Sequence, residues 1–405
     1  MTSRPLAAAE ERYSPLYFLA SLGAGGLTVT FFMWLLFWVP HPGKPVPVFE
    51  DIQTAFLGGA PALQAMIVVA MAAIAFFGVL NLKSLIWNLG QMRKFTRAAG
   101  FDAFRASNAE TQMMALPLAL AMSVNAGFIL GLVFVPGLWS VTEYLFPLAM
   151  AAFLAIGVLA FRLLGAFLGR VIGEGGFDHG ANNSFAQKLP AFALAMVGVG
   201  LSAPASMSTN ALTVGTSLVL STFFLAAAAV IALIALVMGI HAMMEKGVAP
   251  EAAPTLMVIV PILTVLGILL LRQDHGLHTQ FEVHSGAGDT LVLLSRILSV
   301  QVLFALFGVF VLARIGYWKR FVFGAETSAG AYALICPGVA LSVMVQFWLN
   351  KGLVATGLVA KFGVAYWAIS GVAVAMQLAM IALVLYLNRR HFRAAPRSAV
   401  AQPAE

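Results

Sequence analysis

Residues 213–244 read TVGTSLVLSTFFLAAAAVIALIALVMGIHAMM, with no Asp, Glu, Lys or Arg among them. About 20 mostly apolar residues in a helix cross the hydrocarbon layer of a bilayer. This run is therefore long enough to span one, and too apolar for the surface of a soluble fold. Working outward and cutting wherever charges and turn residues cluster gives ten such segments: Leu16–Val39, Ala62–Leu85, Thr111–Val135, Tyr144–Val171, Lys188–Met207, Thr213–Met244, Pro254–Leu271, Thr290–Gly316, Ser328–Asn350 and Gly363–Asn388. Short connections such as Ser208–Leu212 and Lys351–Phe362 pair consecutive segments as antiparallel hairpins.

The composition agrees. Hydrophobic residues make up 61% and charged residues 10% of the chain, with a mean hydropathy of +0.94; soluble domains carry about 25% charged residues. The expectation is one all-α membrane domain over 16–392, flanked by tails at 1–15 and 393–405 that are rich in Ala and Pro and read as unstructured. Arg4, Glu10, Glu11 and Arg12 precede the first segment without a cleavage pattern, so that segment reads as retained. The single cysteine, Cys336, excludes an intrachain disulfide. A net charge of +7 does not point to nucleic acid, because the basic residues sit in short loops beside apolar spans.

Those loops set the orientation. Cytoplasmic loops retain Lys and Arg, and with the N-terminus inside, eighteen of these residues fall inside and five outside (Lys44, Arg272, Arg296, Lys351 and Lys361). Both termini are therefore expected in the cytoplasm, in a bacterial-type inner membrane.

The hairpins repeat. Even-numbered segments are Ala/Leu/Val/Phe rods with basic tails. Odd-numbered segments carry small, polar or kinking residues near mid-membrane, with Pro117, Pro204, Pro261 and Pro337 as the kinks. A proline removes one helical hydrogen bond, which lipid tolerates only where protein or a water-filled cavity satisfies the backbone. The odd segments read as an inner ring around a central pore and the even ones as facing lipid or neighbouring subunits. The competing reading is that small residues simply allow close helix packing. Pore-lining candidates are Thr30, Asn125, Ser202, Ser206, Thr264, Ser342 and Gln346.

No carboxylate lies at mid-depth; Glu110, Glu143 and Asp289 are at segment ends. The basic candidates Lys83, Arg162, His241, Arg296 and Arg314 are all near enough to an interface to snorkel, and Arg296 is the one placed to attract an anion. The outer loop Arg272–Asp289 holds Asp274, His275, His278, Glu282 and His284, readable as a polar loop, a pH sensor or a weak zinc site, and no metal is assigned. No nucleotide loop, nucleophile elbow or metalloprotease helix occurs, so no enzyme activity is assigned. Haem ligation needs paired histidines, whereas His241 stands alone, so no cofactor is assigned.

The run Ala253-Pro254-Thr255-Leu256-Met257 followed by Pro261, and the polar, basic stretch Leu82–Phe95, resemble the tellurite-resistance/dicarboxylate transporter family, which includes the plant guard-cell slow anion channel. Ten helices in five hairpins resemble it over nearly the whole chain. The resemblance implies an anion pore within five inner helices and a homotrimer with one pore per subunit. Family members carry a pore-blocking Phe before the ninth-helix proline; here Pro337 follows Cys336. Either the register differs, or Phe32, Phe128 or Phe192 gates the pore, or the pore is ungated or has lost transport. Three functions follow as expectations: channel-like passage of small inorganic or organic anions such as halide or nitrate, a proton-coupled carrier of dicarboxylate, sulfite or tellurite, and a non-transporting scaffold or sensor.

Overall fold

The computed structural model describes residues 13–392. The tails assigned to 1–15 and 393–405 thus lie outside the described residues, save for 13–15. Among the described residues every regular element is helical, and ten helices are long and apolar enough to cross a bilayer. We number these α1 (Pro15–Trp38), α2 (Pro61–Phe95), α3 (Asn108–Phe134), α4 (Leu138–Gly173), α5 (Ala186–Met207), α6 (Ala211–Lys246), α7 (Pro250–Phe281), α8 (Ala287–Arg314), α9 (Ala329–Val354) and α10 (Val364–Phe392). The chain is a multi-pass α-helical membrane protein.

Two helices outrun the expected spans by about three turns. α2 continues past Leu85 to Phe95, and α7 continues past Leu271 to Phe281. Hydropathy ends a span where polarity begins, but backbone hydrogen bonding does not. Neither extension contains a proline, and Arg, Lys, Gln and Met are good helix formers. The expected outer loop at 272–289 is corrected accordingly: only 282–286 connect α7 to α8.

The odd helices share one way of starting. Ser14, Ser107, Ser184 and Ser328 each accept the backbone N–H two residues ahead through Oγ, ahead of α1, α3, α5 and α9. Such caps satisfy donors that have no partner inside the helix. Each of these helices, and α7 as well, then opens in a 3₁₀ turn.

Burial separates the two classes. In the most apolar window of each odd helix 56–89% of residues are buried, against 17–28% for the even helices. α1 packs on α3, α3 on α5, α5 on α7, α7 on α9 and α9 back on α1, and each odd helix also touches the even helix that follows it. Large apolar side chains such as Leu233 and Val237 on α6 and Leu303 and Phe310 on α8 project outward, as a lipid-facing surface requires. Lys83, Arg162, His241, Arg296 and Arg314 all sit exposed on even helices.

Candidate functional site

α5 breaks in the run Gly198-Val199-Gly200-Leu201-Ser202-Ala203-Pro204. Regular helix ends at Leu201 and resumes at Ala203. Pro204 has no N–H to offer the carbonyl of Gly200, and the carbonyls around it find side-chain donors instead. Ser217 Oγ donates to Leu201 O at 2.6 Å, Ser202 Oγ donates to Val199 O at 2.8 Å, and the Arg272 guanidinium donates to Val199 O at 2.7 Å. α7 can come this close because of Gly276, where an added Cβ would stand 2.5 Å from the Ala205 carbonyl oxygen.

Inside the ring lies a cavity of about 520 Å³ with walls from all five odd helices. Its wall begins on the N-terminal halves of these helices, at Leu22, Gly23, Phe192, Pro261 and Cys336, and reaches His275, His278 and Lys351 towards their C-terminal ends. His275, His278 and Lys351 are solvent-exposed, so the cavity opens on that face. Most of the wall is apolar, with Phe32, Phe128, Phe146, Phe153, Phe192 and Phe347 supplying its phenyl rings. Cys336, the residue before the ninth-helix proline, is in this wall, as are Phe32, Phe128 and Phe192.

Of the polar residues singled out from sequence, Asn125, Ser206 and Thr264 are in the wall. Asn125 Nδ2 donates to Ala121 O at 3.1 Å, and Ser206 Oγ donates to Ala203 O at 3.1 Å. The Thr264 hydroxyl donates to Ala340 O at 3.1 Å while accepting from Gln301 Nε2 at 2.6 Å, so both its roles are committed. The other four lie off the wall. Thr30 and Ser202 bond back to Leu27 O and Val199 O in their own helices, and Ser342 and Gln346 turn outward to Ala373 O and Ser370 Oγ on α10. Helical polar residues satisfy themselves on the nearest carbonyl or neighbour, so their presence on an odd helix does not place them in the wall.

The charged wall residues came from the stretch read as a loop. Thr264, Ile268, Arg272, His275 and His278 recur at helical spacing and form one stripe along α7. That spacing is the signal by which they could have been found. Arg272 is half-buried, and among the described residues no carboxylate lies within ion-pair distance of it. Among the described residues its one side-chain hydrogen bond is to Val199 O. A guanidinium has five N–H donors, so most of its donors remain free for whatever enters. Asp274 accepts from Ser285 Oγ at 2.6 Å, while His278 and His284 meet through their Nδ1 atoms at 2.9 Å. Arg272 and Lys351 against Asp274 leave the wall with positive charge in excess.

Acidic groups near the spans serve as clasps. Glu110, buried, bridges Arg105 at 3.3 Å and Arg170 at 3.0 Å. Glu143 accepts from Ser208 Oγ at 2.8 Å and from the Thr209 backbone at 2.6 Å, tying α4 to the α5–α6 turn.

No family model matches the chain, and no curated protein matches it either.

Proposed function

We propose that this protein passes small anions such as halide or nitrate across a membrane along the axis of the five odd helices. The observation that carries the reading is Arg272: a guanidinium in a mostly apolar cavity, fixed by one backbone carbonyl and, among the described residues, with no carboxylate within ion-pair distance. A charge in such a place is costly unless something answers it, and a planar fork of free donors suits an oxyanion. Inward of the mouth formed by Arg272, Asp274, His275, His278 and Lys351 the wall is weakly polar, which favours rapid passage over tight capture.

On this reading the cavity is the outer vestibule, and Phe192 and Cys336 stand at its inner end, where a gate belongs. The basic tails of the even helices support a reading with both termini in the cytoplasm of a bacterial-type inner membrane. The resemblance to the tellurite-resistance/dicarboxylate transporter family supports the same pathway and suggests a homotrimer, with the apolar even helices meeting lipid and neighbouring copies.

A proton-coupled carrier is the second reading. Its support is the pair His275 and His278 at the vestibule mouth, where a titratable group beside the substrate would couple the two. Nitrate flux into liposomes, with and without an imposed pH gradient, separates the two: a channel conducts down the anion gradient alone, and the carrier needs the proton gradient.

A further inference from the structure

Lys188 opens α5 and has no exposed surface. Among the described residues its Nζ has no hydrogen-bond partner, and it lies 3.7 Å from the centre of the Phe185 ring, itself fully buried. None of the ion pairs among the described residues includes it, and the nearby Glu110 is already committed to Arg105 and Arg170. A cation–π contact contributes on the order of 2 kcal/mol when desolvated, whereas burying an ammonium costs several. The ring therefore does not offset the burial, so the side chain keeps its charge only with an anion beside it and is otherwise neutral.

The helix spacing says where that counterion would come from. Phe192, Met196 and Val199 are in the cavity wall, and Lys188 stands four residues before Phe192 on the same stripe of α5. One turn, about 5.4 Å of rise, thus separates it from the cavity's inner end. The side chain lies on the N-terminal side of that end, where the starts of the five odd helices add their partial positive charge.

Resting on the proposed anion pathway, we infer that Lys188 is a second anion site, inside the floor formed by Phe192 and Cys336, taking one small inorganic anion of the nitrate or halide class. With no anion present, the Lys188 side chain rests on Phe185. An anion leaving Arg272 and passing Phe192 meets it next, so passage runs between two basic side chains on opposite sides of the constriction.

The test uses the purified full chain in detergent, with sodium nitrate titrated against sodium gluconate at constant ionic strength and the melting midpoint as readout. Arg272→Met removes the outer site, so any saturable nitrate stabilisation that remains reports the inner one. We expect it to persist in Arg272→Met, to need about tenfold more nitrate when Lys188→Met is added, and to be retained with Lys188→Arg. Removing an unpaired buried basic group does not lower the midpoint in gluconate; if the Met variant fails to accumulate, Lys188→Gln serves the same comparison. Equal nitrate responses with and without Lys188, or no response in Arg272→Met alone, overturn the site. Flux on the same preparation separates the two proposals: a Lys188-dependent shift without flux keeps the site and removes the passage, and flux with a Lys188-independent shift does the reverse.

Discussion

The guanidinium of Arg272 on α7 donates to the carbonyl of Val199 on α5 across 2.7 Å. That one bond joins the break in α5 to the charge in the cavity wall. Val199 sits three residues before the break at Ser202, beside a proline that takes one donor out of the helix. The carbonyl that holds Arg272 thus belongs to the last turn of α5 before its break.

Replacing Arg272 with Met is predicted to raise the half-saturating nitrate concentration for flux by about tenfold or more, the loss expected for a charge-assisted hydrogen bond. Arg272→Lys recovers part of it, since an ammonium keeps the charge but not the fork. Concentration-dependent flux in liposomes checks both.

Filling the floor is predicted to obstruct passage. A phenyl ring in place of the Cys336 thiol enters the same inner end of the cavity as Phe192, so Cys336→Phe lowers the maximal flux while leaving nitrate stabilisation at Arg272 in place. Flux and melting shift measured on the same variant check this.

The glycines of the odd helices are not equivalent. Gly276→Ala drives a Cβ to within 2.5 Å of the Ala205 carbonyl oxygen, backbone against side chain, and is predicted to cost about 1–3 kcal/mol. Gly127→Ala meets nothing within 4 Å and is predicted to be neutral or mildly stabilising, by at most about 1 kcal/mol. Melting midpoints in detergent distinguish them.

Much of this was legible in the sequence, and the failures have a common cause. The ten spans and the difference between odd and even helices were readable because burial in lipid leaves a gross signal: outward Leu, Val and Phe on one class, Gly, Ser and Pro on the other. Hydropathy cannot say which way a polar side chain faces, so Thr30, Ser202, Ser342 and Gln346 looked like wall residues while bonding elsewhere. It also ends α7 where Arg272 begins. A polar helical turn that lines a cavity has the composition of a loop, and only the spacing of Thr264, Arg272, His275 and His278 tells them apart. Lys188 was hidden for a related reason: a lysine at the first turn of a span reads as snorkelling to water, and its burial depends on Phe185 and on helices distant in sequence.

Outside the membrane, Arg320 Nε meets Glu326 Oε1 at 2.6 Å, and this hydrogen bond holds the Glu326 carboxyl below the usual carboxylate range. A depressed carboxyl contributes stability above its unfolded value and loses it as pH falls through the folded one. The melting midpoints of wild type and Glu326→Gln are therefore predicted to differ by a small margin at neutral pH and to converge below the ordinary carboxylate range. As the pair is exposed, added salt should also close the gap.

The most direct test of the account is nitrate flux into liposomes holding the purified protein, for wild type and Arg272→Met, without a pH gradient. The account predicts nitrate entry down its own gradient in wild type and a loss of about tenfold in the variant at low nitrate. Wild-type protein that is folded and inserted yet moves no nitrate, or flux indifferent to Arg272, would contradict it.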